Sequence, residues 1–174
     1  GRASAIVNRV RDYVRSQTMR DGVIDLEALI RGAVRNFGLT SLGNVPVILE
    51  RKEPERVLRV RGDSLELELI VTNLLRNASQ ALQAVMRPEI RVTVFGGPNP
   101  GFSVADNGTG LTEEKLADIV RIGESTRPEG LGLGLSIVRD LVALHGGRIE
   151  FSLTGEGGLK VTVTFPPARE SEKG

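Results

Sequence analysis

The chain has 174 residues, 40% of them hydrophobic, with 23 basic against 22 acidic side chains and no cysteine. That length suits one ordinary domain with a buried core and a short appendage. Balanced charge argues against a nucleic-acid or anionic-membrane partner, and the missing cysteines exclude disulfide and thiolate-zinc designs and fit a reducing, cytoplasmic setting. No apolar run approaches the roughly 20 residues of a membrane helix, and the opening Gly1-Arg2, in place of Met, reads as the edge of a piece of a longer protein.

In chain order, Ile6, Val7, Val10, Tyr13 and Val14 share one stripe of a helix, with Arg9, Arg11, Asp12 and Arg15 opposite. Such a helix needs a partner for its apolar side. Asp25 is placed to cap a second helix through about Asn36, and VPVILE (45–50) with VLRVRG (57–62) reads as a strand pair. Asp63-Ser64-Leu65-Glu66 has capping-box spacing and predicts a long helix to about Met86, ended by Pro88. RVTVFGG (91–97) and FSVAD (102–106) alternate as strands, a short helix follows over 112–120, and strands 148–153 and 160–165 close the pattern. The order predicts an α+β fold: a two-layer sandwich with a mixed sheet of about five strands, about three helices on one face, and the amphipathic helix in front. The expected divisions are 1–20 for that helix, 24–168 for the main domain and 169–174 for a tail.

Three stretches carry chemistry. On the long helix Leu67, Leu74, Ala78, Ala81, Leu82 and Val85 form the expected core face, while Glu66, Asn73, Asn77 and Gln80 gather beside it. Asn73 and Asn77, at i and i+4, bring two amide oxygens to one spot; amide oxygen is a hard ligand suited to Mg²⁺, though two solvated or backbone-bonded asparagines give the same pattern. VADNGTGL (104–111) leads a strand into Asp106, whose carboxylate can accept from an exocyclic amine such as adenine's, with Gly108 and Gly110 permitting close backbone approach. Asp-Asn-Gly is equally an ordinary turn signal. EGLGLGLSIV (129–138) bares backbone N–H groups at Gly130, Gly132 and Gly134 where a helix begins, a phosphate-binding arrangement, while Leu133, Ile137, Leu141 and Leu144 share a face expected to point inward. It lacks the Gly-Lys-Ser/Thr of a P-loop and the context of a dinucleotide fingerprint.

Taken together and in this order, the three stretches resemble the N box (LIVTNLLRNASQAL, 69–82) and the two glycine boxes of the catalytic ATP-binding domain of sensor histidine kinases. These domains share the Bergerat fold with DNA gyrase, mismatch-repair ATPases and the heat-shock chaperone. The resemblance covers about residues 24–166 and implies ATP and Mg²⁺ as cofactors. It makes Asn77 the Mg²⁺ ligand, Asn73 its helical companion and Asp106 the adenine-recognising carboxylate. Gly108 and Gly110 would line the base pocket, and Gly130, Gly132 and Gly134 would border the phosphates. It further implies that 1–20 is the end of a dimerisation-hairpin helix in a homodimer, that a response regulator is the downstream partner, and that the domain is the cytoplasmic part of a sensor, itself touching no membrane.

The departures are specific. F-box phenylalanines are replaced by Ile119 and Ile122. The short lid is similar to that of nitrogen and dicarboxylate sensors, with Ser125-Thr126-Arg127-Pro128 echoing a Thr-Thr-Lys-Pro element, which makes Arg127 a phosphate contact. Gln80 stands where many relatives carry Lys, and Lys160 aligns where they place Thr beside the adenine. Hydrolytic members carry a water-activating glutamate at the position of Asn73, an amide that cannot act as a general base. The expected activity is therefore γ-phosphoryl transfer to a histidine on a dimerisation helix outside these residues; the alternative is a nucleotide-binding or interaction module that has lost catalysis. The one histidine, His145, is expected to cap or pack.

Overall fold

A computed structural model describes residues 22–40, 43–52, 58–124 and 131–168, with backbone alone for 122–124 and 131–133. The expected N-terminal helix, the lid with Arg127 and Gly130, and the tail 169–174 lie outside the described residues. The elements are β1 (Val23–Asp25), α1 (Leu26–Phe37), β2 (Val47–Arg51), β3 (Arg59–Arg61), α2 (Ser64–Ala81), β4 (Ile90–Phe95), β5 (Gly101–Asp106), α3 (Glu113–Glu124), α4 (Leu131–Leu144), β6 (Arg148–Leu153) and β7 (Leu159–Thr164).

Five strands form the main sheet in the order β2-β4-β5-β7-β6, parallel between β2 and β4 and antiparallel elsewhere. Alternation sorts its two faces. Leu49, Val92, Val104, Val161 and Phe151 stand in one cross-strand row on the helix side, whereas the next row is Glu50, Thr93, Ser103, Thr162 and Glu150. Only the first row meets the core, which Leu67, Ile70, Val71, Leu74 and Leu75 of α2 and Val138 and Val142 of α4 complete. The α+β layering read from sequence is thus the fold observed, with four described helices.

Helix α1 begins as expected: Asp25 accepts a hydrogen bond from the Ala28 N–H at 3.1 Å. The expected pairing of 45–50 with 57–62 is wrong. β2 pairs instead with β4, and β3 pairs antiparallel with β1 in a separate two-stranded sheet. The backbone of 58–62 is already committed there, since Leu58 O accepts from Leu26 N–H at 2.8 Å and the Gly62 N–H donates to Gly22 O at 2.9 Å. The strand 23–25 is too short for periodicity to reveal, so its claim on β3 was invisible.

Helix α2 corrects two expectations. The Asp63 side chain makes no cap bond; its backbone N–H donates to His145 Nε2 at 3.2 Å, and Glu66 turns toward that imidazole, Oε1 lying 3.9 Å from Nε2. The helix also stops at Ala81 rather than Met86. Turn bonds from the Leu82 N–H to Ser79 O and from the Val85 N–H to Leu82 O break the register, which seats Leu82 in the core. In α4 the buried face is Leu135, Val138 and Val142; of the stripe expected inward, Ile137 and Leu144 are exposed, Leu141 is half-buried against the core, and the Leu133 side chain lies outside the described residues. The helix ends in a Schellman turn, with Gly146 at φ +70° and the Gly147 N–H bonded to Val142 O at 2.9 Å.

Candidate functional site

A cavity of about 280 Å³ opens between α2, the end of β5, α3, the start of α4 and the β6–β7 turn. Its walls are mostly apolar, with Leu74, Val104, Leu135 and Val161 among them, and its charged lining residues are Asp106 and Lys115. Such a lining, greasy with few polar anchors, is what a flat heteroaromatic ligand needs.

Asp106 is buried at the end of β5. Its Oδ1 accepts from the Gly108 N–H at 2.9 Å and the Leu159 N–H at 3.3 Å, which leaves Oδ2 as the oxygen with no described partner. Burial raises the carboxyl pKa above its usual 3.8, and the two backbone donors offset only part of that rise. The space around it exists because two neighbours lack side chains. A Cβ on Gly108 would come within 2.8 Å of Asp106 Oδ1, and one on Gly158 would strike the Asp106 carbonyl oxygen as well. Gly110 lines the same wall at φ +86°. Asn107 has a scaffold role that its turn motif conceals: Oδ1 accepts from the Glu89 N–H at 2.7 Å and Nδ2 donates to Arg87 O at 2.7 Å.

The two asparagines meet as their spacing predicts, and they meet at Gly134. A Cβ on Gly134 would lie 3.3 Å from Asn77 Oδ1 and 3.5 Å from Asn73 Oδ1. Asn73 Nδ2 donates to Leu69 O at 2.8 Å, one turn back, which turns its Oδ1 outward from that bond. Asn77 Nδ2 is buried with no described partner. The N-terminal turn of α4, which also carries Gly132, thus rests on the amide pair, with the cavity on one side of Asn77.

Several expectations change here. Lys160 is not in the cavity wall. It pairs with Ala105 and Ser152, one step out of phase with the cavity residues Leu159 and Val161, and is exposed on the solvent face of the sheet. Leu159, whose N–H supports Asp106, is the residue sequence reasoning missed, because its contribution comes from the backbone. Lys115 was missed as well: it stands in a helix start that carries no motif. Gln80 is exposed and Ile119 lines the cavity where an F-box aromatic was sought. His145 is far from a solvent-accessible acceptor. Its side chain is fully buried, Nδ1 lies 2.8 Å from Leu141 O and Nε2 accepts from Asp63 N–H, so both ring nitrogens are engaged with backbone.

Residues 62–169 match the profile of the family described as "Histidine kinase-, DNA gyrase B-, and HSP90-like ATPase". The chain belongs to that family. Among relatives of this ATPase family, the C4-dicarboxylate transport sensor protein DctS of Rhodobacter capsulatus is 29% identical over 97% of the chain and 26% of its own length. The nitrogen regulation protein NtrY of Azorhizobium caulinodans is 32% identical over 76% of the chain and 18% of its own length. The chain therefore spans about a quarter or less of these relatives. The solved catalytic domain of the histidine kinase ThkA, in a nucleotide-free form, superposes with a TM-score of 0.69 at 26% identity, covering 86% of this chain and 98% of that one. Domains of this ATPase family bind ATP. No described helix is long and apolar enough to cross a membrane.

Proposed function

We propose that the chain is the ATP-binding catalytic domain of a two-component sensor histidine kinase, holding Mg-ATP so that its γ-phosphoryl group passes to a histidine on a dimerisation helix. The observation that carries this reading is the meeting, in one cavity, of the largely buried Asp106 carboxylate, whose Oδ2 has no described partner, and Asn77, whose amide lies with that of Asn73 against Gly134 at the start of a glycine-led helix. The Asp106 carboxylate keeps Oδ2 free of any described hydrogen bond at a cavity wall, and the exocyclic amine of adenine is a donor suited to it. Gly108 and Gly110 admit the base, and Gly130, Gly132 and Gly134 give the phosphates backbone N–H groups, with Arg127 a further phosphate contact.

Among the described residues no group of three or more His, Cys, Asp or Glu could hold a metal. The donor set instead fits Mg²⁺ taken through the Asn77 amide oxygen, with water and phosphate oxygens as remaining ligands. Mg²⁺ would neutralise developing phosphate charge. Asn73 offers no general base, so the site positions ATP for an external nucleophile rather than for water. That nucleophile, the hairpin that carries it, the homodimer and the response regulator belong to this proposal, as does a cytoplasmic location.

A non-hydrolysable ATP analogue with Mg²⁺ is expected to stabilise the chain by about 2–3 kcal/mol at a hundredfold excess over Kd. Asn77→Ala should remove the Mg²⁺-dependent part and Asp106→Ala the whole shift. No shift for the unaltered chain would refute the reading. The alternative, an inert nucleotide-binding module without F-box aromatics, predicts the same shift. It parts from the kinase when the chain is incubated with a separate hairpin bearing the acceptor histidine and labelled ATP: only the kinase labels that histidine.

A further inference from the structure

A triphosphate brings several negative charges into the cavity, yet the described wall offers one cation to meet them. Asp106 and Lys115 are its charged lining residues. The preceding helix contributes none: Arg76, the one basic residue of α2, is exposed and not part of the wall. Lys115 stands in the first turn of α3, behind Glu113 and Glu114. A cation there faces the positive end of the helix dipole, a placement that costs a few tenths of a kcal/mol and that helices ordinarily avoid. The helix start is otherwise well made, with Thr112 Oγ1 accepting from the Lys115 N–H at 3.2 Å.

The Lys115 ammonium is drawn back over the glycine loop, where it donates to Gly110 O at 3.3 Å. That is a long bond to a neutral acceptor, and an ammonium has three donors. A phosphate oxygen is the stronger acceptor for it.

We infer that Lys115 is a phosphate-reading residue of this site, exchanging Gly110 O for the phosphates of the bound nucleotide and supplying from α3 the cation that α2 does not. The inference rests on the nucleotide-binding reading above and adds a residue to it. It is tested by competition binding of adenosine, AMP, ADP and ATP to the 174-residue chain and its Lys115→Met and Lys115→Arg variants. Lys115 is exposed, so both variants should melt with the parent when unliganded. Lys115→Met is expected to weaken ATP and ADP about tenfold while leaving adenosine unchanged, the loss corresponding to one charge-assisted contact. Lys115→Arg should recover most of it, and added salt should shrink the difference. An equal loss for adenosine and ATP would make Lys115 a loop tether only and overturn the inference, as would undiminished ATP binding. If the parent chain binds neither adenosine nor ATP, the nucleotide reading itself fails and this inference with it; adenosine bound by the parent with no preference for ATP refutes the inference alone.

Discussion

Asp106 holds a charge where the protein gains nothing from it. Its pKa is raised, so the folded chain holds that proton more tightly than the unfolded chain does. Ionisation therefore weakens folding: the penalty is absent below the unfolded value near 3.8, grows as pH rises toward the folded value, and is complete above it. Asp106→Asn should consequently be as stable as the parent at neutral pH or more so, while its amide N–H₂ opposes the adenine amine and lowers affinity by about a hundredfold, on the scale of a buried unpaired donor. Urea titrations and calorimetry at pH 7 check both halves. The same linkage sets the pH dependence of binding. An amine donor favours the carboxylate, so affinity should be flat above the raised pKa and fall as pH drops below it, a fall that Asp106→Asn would not show. Asp106, Asn73, Asn77 and Gly134 are legible in the sequence because each presents its chemistry at a fixed local spacing. Leu159 is not, because it acts through an N–H that any residue but proline carries; nor is Lys115, whose role depends on which wall of the cavity α3 forms.

Helices α2 and α4 run antiparallel between two contacts, Gly134 on the asparagines at one end and His145 on Asp63 and Glu66 at the other. At the first contact two magnitudes compete. Gly134→Ala gains up to about 1 kcal/mol of helix propensity, but its methyl group would crowd Asn77 Oδ1 at 3.3 Å. The expected result is a nearly neutral change in stability with a clear loss of Mg²⁺-dependent nucleotide binding, read by thermal shift with and without the metal. At the second contact no such offset exists. His145→Ala would orphan the buried Asp63 N–H and leave a void beside Phe165, whose ring stands edge-on 6.3 Å away. Denaturant unfolding should show a loss of about 2–4 kcal/mol, with nucleotide affinity of the folded fraction preserved. Element existence was readable here, since the 3.6-residue period of α2 and α4 is strong. Which face of α4 turns inward was not, because Leu and Ile lie on both sides of it and the partner helix selects one. The α2 terminus was misplaced for a similar reason: tertiary burial of Leu82 ends the helix before Pro88 can.

Across the whole molecule, the described cavity wall is drawn from the later part of the chain alone. Every described residue of that wall lies at or beyond Leu74, and none comes from β1, α1, β2 or β3. Hydrogen exchange should therefore divide the chain: Mg²⁺ and an ATP analogue should slow exchange in 106–119, 134–138 and 157–161 and leave 23–61 unaffected. Yet the first part is no dispensable annex, because Leu26, Ile30, Ala33 and Phe37 of α1 are fully or almost fully buried in the common core. Layer order and helix–strand succession followed from periodicity alone, whereas the parallel β2–β4 pairing and the β1–β3 ladder depend on contacts distant in sequence that no local pattern records. The main-chain support of Asp106 has an evolutionary corollary. On the proposed reading, a recognition carboxylate held by two backbone N–H groups is insulated from mutation at one of its own supports: position 159 can drift among side chains while the hydrogen bond persists. A saturation library there should lose adenine binding at proline and retain it at most small and apolar substitutions, so this corner of the pocket is where lineages of such domains can vary the floor beneath the base without altering the group that reads it.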